Sequence, residues 1–595
     1  MRTTSFAIGV ALLSVLAAAP VLAAEEDADA TSADAAPATA DSNAPVEPGA
    51  TVDLRSRVLT QPSFWTTLRA QYEVPTSAIP DAQVSGLRTA PSRLTLREAV
   101  LTAIKNNPGI IADSLTPVAN ETDIEAAFAE FDPVFDAGFD INRTAQPSSS
   151  RITAGLDDIE PRVSETNRNW DFSLSKKMRS GGVLDLDFLN NRFTSDAVIF
   201  AGTPLYLLSP QYQPQLIASL NQPLLRDFGL YFTSLRIRLA ETSTEGAIER
   251  YRAGVANFIL SVVTNYWAVV GLEERLQVLR GSLELAEKTV RDNRTRVDVG
   301  VLPPVAVLES EAEQARRKED VIVATNDLAQ AKRRLRQQVY LPGENPFFPQ
   351  VVEPIDRPER EAIQVDTEEA VRIAIEKRPE IQAARLTIKG SQLNVALNDN
   401  QLLPRVDFVG SIGLNSLSGT NTDPENPAPF QGDYGDALNR LPDGRYYSYL
   451  AGVRIEVPIG NAAAKSQSER ARVEQQQAYD RYRQTVSEVS LEVGQSAGDV
   501  TSDMERIGTT RIGRELSEEN LRNQTKRYEV GMVTTTDLLQ FQNDLAAASV
   551  AEIQALIEYN ISRTEFERAQ GTLLSRFNVE VSPRAPTDAP WWARF

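Results

Sequence analysis

Two carboxylates in this chain, Asp185 and Asp187, have a spacing that could support hydrolysis. Residues at i and i+2 of a β-strand lie on the same face of the sheet, and paired carboxylates can act as general acid and general base. The sequence contains neither a nucleophile elbow nor a Gly-rich loop beside them. A water-facing strand explains the pair more simply, so the sequence does not predict an enzyme.

The composition excludes several other functions. The chain has 595 residues without histidine or cysteine, which removes the usual ligands of zinc, copper and haem, so no cofactor or metal is predicted. A formal net charge of −20 is the wrong sign for binding nucleic acid. Residues 1–24 combine Arg2, an apolar run and a small-residue cleavage pattern, which indicates a secretory signal peptide and an exported protein.

Six segments alternate apolar and polar residues with the period of a β-strand. The pattern fits a soluble antiparallel sheet and equally fits membrane strands that face lipid on one side and water on the other. The longest apolar stretch after the signal, residues 258–272, contains Asn265 and is shorter than the ~20 residues of a spanning helix. Any membrane crossing is therefore predicted to use strands. The six segments are 134–142, 170–177, 183–188, 215–221, 406–414 and Tyr447–Ile459.

Two proline-free segments, 235–298 and 462–529, carry apolar residues at coiled-coil spacing. As helices they would each extend about 95–100 Å, far beyond the helices of ordinary globular domains. Each reaches a glycine, Gly300 or Gly531, and is followed by a second helical segment, 305–339 or 534–576. Each half of the chain is thus predicted to contain a long helical hairpin, and such hairpins favour the membrane interpretation of the strands.

The two halves also open alike. Leu96–Ile110 and Thr367–Ile381 share residues at one offset, 367 − 96 = 271, which predicts an internal duplication. The predicted organisation is a signal peptide (1–24), a disordered acidic leader with an N-terminal extension (25–90), a first repeat (91–340), a linker (341–365), a second repeat (366–577) and a C-terminal tail (578–595).

Three motifs resemble the TolC-like outer-membrane efflux proteins: the paired openings, the strand end "NQPLLRDFG", and the hairpin turns "RVDVGVLPP" and "RYEVGMVTT". The resemblance implies an α+β membrane protein, a homotrimer whose strands close an outer-membrane β-barrel and whose helices continue it as a periplasmic α-helical barrel. It further implies an exit duct for efflux or type I secretion, which receives cargo from an inner-membrane transporter through a periplasmic adaptor protein. The expected localisation is the outer membrane, in contact with its lipid.

The number of predicted strands differs from the number in that family. A family protomer contributes two strands in each half, whereas the first half here has four candidates, with a turn at Arg179–Gly182 between the middle two. A trimer would have 18 strands if all six strands of each chain joined the barrel, and 12 if the additional hairpin stayed outside.

The resemblance also assigns roles at the helical turns. Tyr528 and Asp537 match the pore entrance, where family members carry a closing network of Asp, Tyr and Arg and rings of Asp. Ala306 stands at an Asp position and Val533 at the Arg position, so the closed pore is expected to leak, with apolar packing as the remaining restraint.

Two further assignments complete the site. Gln540 replaces the second Asp of the ring, while Glu309 is expected to keep the entrance acidic. Gly300 and Gly531 mark the predicted adaptor-docking tips. The alternative function is a periplasmic coiled-coil adaptor or structural protein with a soluble β domain.

Overall fold

The structure, a computed structural model, describes residues 92–147, 162–195, 208–341, 352–421 and 428–581, together with the backbone of Thr51–Val52. The predicted signal peptide, nearly all of the leader and the tail beyond Val581 lie outside the described residues. The first half contains β1 (Thr51–Val52), β2 (Ser92–Leu94), α1 (Leu96–Asn106), α2 (Pro108–Phe128), β3 (Val134–Pro147), β4 (Arg162–Lys177), β5 (Val183–Ser195), β6 (Leu208–Pro223), α3 (Leu230–Thr233), α4 (Leu235–Asp298) and α5 (Val305–Val339).

The second half follows nearly the same order of elements, with two strands in place of the first half's four long ones. Its long helix has 68 residues against 64 in the first half, and both returning helices have 35. It contains β7 (Val352–Pro354), α6 (Thr367–Lys377), α7 (Pro379–Asn400), β8 (Arg405–Asn415), β9 (Ser418–Asn421), α8 (Tyr434–Arg440), β10 (Tyr447–Glu456), α9 (Ala462–Glu529), α10 (Thr535–Ala569), α11 (Leu573–Arg576) and β11 (Glu580–Val581).

The two repeat openings fold alike because their caps match. Thr95 and Glu98 form a capping box at the start of α1, with Thr95 N donating to Glu98 at 2.8 Å. Asp366 caps α6 by accepting from the amides of residues 368 and 369. A proline then begins α2 and α7, where its missing N–H costs no helical hydrogen bond. The offset of 271 found in the sequence therefore joins equivalent caps and helix starts.

Each short opening helix packs on the middle of its long helix. In the first half, Val100 and Ile104 are buried with Ile259, Val262 and Tyr266. By length and composition, α4 is apolar enough to cross a membrane. From the sequence, the apolar stretch 258–272 within this helix was predicted to be too short to do so. The protein buries 44% of the apolar window of α4, including Ile259, Val262 and Tyr266, which accounts for part of the hydropathy. In the second half, Ala370 and Ala374 are buried in the same manner with Val489 and Val493.

The six predicted strands form one antiparallel sheet in the order β10-β8-β6-β5-β4-β3, and β9 pairs with the outer part of β6. One face of the sheet is apolar and exposed, as at Phe139 and Tyr449, which are 69% and 77% exposed. The opposite face carries mainly short polar side chains such as Asp185 and Ser219, which lie opposite each other on β5 and β6. The period-two pattern of the sequence thus predicted both faces.

Two predicted boundaries were wrong. The returning helix predicted over 534–576 breaks at Gly571, whose φ is +75° and where a Cβ would lie 3.1 Å from the backbone of Arg378. The strand predicted to reach Ile459 ends at Glu456, shortly before Pro458, which has no N–H to donate to the ladder. In addition, β1 in the predicted N-terminal extension pairs in parallel with β11 in the predicted tail, a contact that the sequence did not predict.

Candidate functional site at the helical tips

The turn of each long hairpin depends on a glycine. Gly300 has φ +78° and Gly531 has φ +76°, and at neither position would a Cβ meet another atom within 4 Å. The glycines are therefore required by backbone conformation and not by lack of space. In the second turn, Met532 N donates to Arg527 O at 2.9 Å and closes the end of α9. At both predicted docking tips, the helix thus ends in a tight turn whose glycine has a left-handed backbone conformation.

Tyr528 joins the two hairpins of the protomer. Its side chain is 5% exposed, and its hydroxyl donates to Oδ1 of Asn293 on α4 and lies 3.1 Å from Oγ1 of Thr535 on α10. The guanidinium of Arg296 lies 4.8 Å from the centre of the Tyr528 ring, and its Nη1 donates to the Tyr528 carbonyl at 3.1 Å. The phenol therefore contacts both repeats within one buried polar cluster.

Asp537 has a structural role in addition to its predicted one. It occupies the third position of α10, where its Oδ2 accepts from Thr534 Oγ1 at 2.7 Å and from Thr534 N at 3.2 Å, completing a capping box. These two hydrogen bonds, the side-chain one first, hold the pKa of the Asp537 carboxyl below its usual range. Its carboxylate is exposed and is ionised at neutral pH.

Glu309 lies beside this cap. Its Oε2 accepts a hydrogen bond from Thr536 Oγ1 at 3.0 Å, across the gap between α5 and α10. Because Thr536 precedes Asp537 in the chain, the structure places the two predicted entrance carboxylates, one from each tip, close together. The two halves align Asp537 with Ala306 and Glu309 with Gln540, so the carboxylates are not equivalent in the repeats, and it is the fold that brings them close together.

The roles of Arg296 and Asn293 in this cluster were not predicted from the sequence. Arg296 in the first hairpin motif aligns with Arg527 in the second, and this shared arginine is the sequence pattern that could have indicated it. Val533 and Ala306 indeed cannot form a charged pair, but Arg296 approaches Tyr528 from the other repeat, and Asn293 Nδ2 donates to Ala306 O at 3.3 Å. Apolar packing of Leu521, Leu538 and Leu302 at the tips is therefore joined by polar contacts.

Asp185 and Asp187 lie on the polar face of the sheet. Asp185 accepts from Ser175 Oγ at 2.6 Å and faces Ser219 Oγ at 3.5 Å. Asp187 lies opposite Ser173 on β4. The surroundings are those of solvated strand residues, which agrees with the simpler interpretation of the pair.

Gly531→Ala is expected to loosen the second tip. An alanine at φ +76° costs about 1–2 kcal/mol, so the Met532 amide should exchange its hydrogen several-fold faster. Gly508→Ala is the matched control, because Gly508 lies inside helix α9 and its Cβ also meets open space. Hydrogen exchange followed by mass spectrometry measures both. Equal protection in the two variants would contradict the conformational role of Gly531.

The protein combines a β-sheet that has an exposed apolar face with helical hairpins about 100 Å long. This combination defines the class of outer-membrane channels with a periplasmic helical extension. A model of the outer membrane efflux protein family matches residues 212–339 and 370–572, more than half of the chain. The chain belongs to this family. It is an outer-membrane efflux channel, which serves as the exit duct of a tripartite efflux system, and this excludes the coiled-coil adaptor considered above.

Individual relatives agree with this assignment. The chain is 23% identical to the outer membrane efflux protein BepC of Brucella suis over 377 residues, which cover 62% of this chain and 75% of BepC. It shares its fold with the CmeC outer membrane channel of Campylobacter jejuni (TM-score 0.55, 13% identity, 83% of this chain and 91% of that one). The open MtrE channel of Neisseria gonorrhoeae is similarly close (TM-score 0.53, 16% identity, 83% and 97%).

Proposed function

We propose that three copies of this chain assemble into one passive duct, with a joint β-barrel in the outer membrane and a joint α-helical barrel in the periplasm. The observation that carries the proposal is the open sheet. Its terminal strands are β3 and β10, and within the described residues neither has a second strand partner. An exposed apolar face belongs in lipid, where an unpaired strand edge is too costly to persist. Pairing β10 of one copy with β3 of the next removes both edges.

The duplication fits this assembly. Two repeats of one structural unit, with equivalent caps and hairpins, give each protomer an approximate internal symmetry, and three protomers then place six similar hairpins around the duct. We infer that the two halves arose from one ancestral unit, on the basis of the offset of 271 that relates α1 to α6 and Pro108 to Pro379.

Native mass spectrometry in detergent tests the assembly. We expect a mass of three chains, because six strands are too few to enclose an aqueous lumen. A monomer that conducts ions in a planar bilayer would contradict the proposal.

The tips are proposed to bind the periplasmic adaptor protein that links the duct to an inner-membrane transporter. Both turns carry apolar side chains that are about two-thirds exposed or more, namely Val299, Val301, Val530 and Met532. Contiguous exposed apolar residues at the end of an otherwise polar helical surface are typical of a protein-binding site.

Charging this surface should abolish docking. Val301→Asp combined with Met532→Asp is expected to weaken adaptor binding at least tenfold, because a buried unpaired carboxylate costs several kcal/mol. Ile355→Asp is the control, since Ile355 is also exposed but lies in the segment between the repeats. Binding of the purified adaptor to immobilised trimers measures the effect. Equal affinity of the tip variant and the control would exclude the tips as the docking surface.

A further inference from the structure

The additional hairpin, β4–β5, is inserted into the middle of the sheet. β4 pairs with β3 over the whole length of β3, from Val134↔Ser175 to Pro147↔Arg162. β5 pairs with β6 from Val183↔Asn221 to Phe193↔Gln211. Because the hairpin separates β3 from β6, it cannot leave the sheet without breaking both ladders.

The apolar face continues across the hairpin over two neighbouring rows, between Lys176 at one end and Asn190 at the other. Two neighbouring rows of paired residues cross all six strands and contain only apolar or aromatic side chains, and the members on β4 and β5 are as apolar as those on β8 and β10. The first row is Phe135, Leu174, Leu186, Ala218, Ile412 and Tyr449, and the second is Ala137, Phe172, Phe188, Leu216, Leu414 and Tyr447. A hairpin held in water would not need this face, whereas a strand in lipid does.

The opposite face is that of an aqueous lumen. Across the same strands, the intervening rows carry mostly short polar side chains or glycine, with Ile217, Val134 and Leu450 as the apolar exceptions. One row is Asp136, Ser173, Asp187, Ile217, Gly413 and Ser448, and the other is Val134, Ser175, Asp185, Ser219, Ser411 and Leu450. Short side chains leave space for water and do not fill the interior as a packed core would.

The turn of the hairpin is fixed to the start of the helical region. Thr233 Oγ1 donates to Arg179 O at 2.6 Å, and Gly229 N donates to Ser180 O at 3.1 Å. Gly181 has φ +91°, and a Cβ there would lie 2.3 Å from the Asp227 carbonyl oxygen. The turn is thus packed against the segment through which β6 continues into the long helix.

We propose that this hairpin is part of the transmembrane barrel, so that three copies close a barrel of 18 strands. The proposal rests on the trimeric duct proposed above. β9 pairs with β6 beyond the end of β8 and so does not add to the circumference. Since barrel diameter grows roughly linearly with strand number, the exit is about 1.5 times as wide as that of a twelve-stranded relative. The outer-membrane section therefore accepts bulkier solutes than a twelve-stranded barrel, and the helical entrance alone limits the size of the cargo.

Single cysteines provide the test, because the chain has none of its own. Phe172→Cys and Ser173→Cys probe the two faces of the hairpin, and Ile412→Cys and Ser411→Cys probe the same faces of β8. Trimers in lipid vesicles that contain a nitroxide-labelled lipid are treated with a membrane-impermeable maleimide, or are labelled with a bimane before reconstitution. We expect Phe172→Cys to behave like Ile412→Cys: maleimide labelling at least tenfold slower than at the two serine positions, and bimane fluorescence quenched by the lipid nitroxide.

Each other outcome has a defined meaning. If Phe172→Cys reacts as fast as Ser173→Cys while Ile412→Cys is protected, the hairpin lies outside the membrane, the barrel has 12 strands, and the duct function stands. If Ile412→Cys also reacts as fast as Ser411→Cys, the sheet is not in lipid and the proposed duct itself is wrong.

Polymer exclusion adds a second measurement. Polyethylene glycols of increasing mass, added to the external side during single-channel recording, should enter up to a larger size than in a twelve-stranded relative measured in parallel. An equal size limit would overturn the 18-stranded barrel.

Discussion

Tyr528→Phe is expected to raise the resting conductance of the reconstituted channel. The variant keeps the ring but removes the hydroxyl that contacts Asn293 on one hairpin and Thr535 on the other. Leaving these buried polar groups without their partner costs about 1–3 kcal/mol in the arrangement that joins the two hairpins, and we expect opening of the channel to separate the hairpins. The closed-to-open ratio should therefore fall roughly 5- to 100-fold, as single-channel recording in planar bilayers will measure.

Arg296→Met should act in the same direction, because it removes the guanidinium that contacts the ring and carbonyl of Tyr528. Arg294→Met is the matched control: Arg294 pairs with Glu311 inside one hairpin, at 2.5 Å, so its loss should not separate the two hairpins. If the control opens the channel as much as Arg296→Met, the contact between repeats is not the restraint. A wild-type resting conductance near zero would contradict the leak that Ala306 and Val533 lead us to expect.

Much of the fold follows from local patterns in the sequence. The predicted helices 235–298, 305–339 and 462–529 coincide with α4, α5 and α9, because a proline-free apolar seam and a glycine with positive φ mark where such helices run and end. The strands were found because each has one face for lipid and one for water. All of these patterns are local, because each is recognised from residues fewer than about ten positions apart in the sequence.

The features that were missed depend on contacts between distant residues. Arg296 and Tyr528 are 232 residues apart, and no periodicity within either repeat indicates that they meet. The break at Gly571 similarly reflects the close approach of Arg378 from another helix. β9 and α8 lie in the long segment between β8 and β10, where the pattern is polar and irregular, and they are placed by contacts such as Ser416 Oγ to Ala437 O at 2.7 Å.

Asp537→Asn combined with Glu309→Gln is expected to remove most of the cation preference of the channel. In a trimer the two carboxylates of each chain become six charges around one narrow entrance. Confinement of this kind produces potentials of several kT, enough to raise the local cation concentration about tenfold or more. The cation-to-anion permeability ratio, obtained from reversal potentials in a salt gradient, should fall several-fold in the double variant and less in either single variant.

The isosteric substitutions separate charge from structure. Asparagine at 537 keeps an oxygen that accepts from Thr534 and so preserves the cap of α10, whereas Asp537→Ala removes the cap together with the charge. Glu368→Gln, in the first turn of α6, removes one charge per chain far from the tips, as many as either single variant removes at the entrance, and should leave the permeability ratio unchanged. Because Glu309 accepts from Thr536 beside that cap, the two carboxylates should act as one site, with effects on selectivity that are not additive. A permeability ratio that stays the same in the double variant would exclude the acidic entrance, and a loss in Glu368→Gln equal to that in either single variant would assign the selectivity to the net charge of the protein.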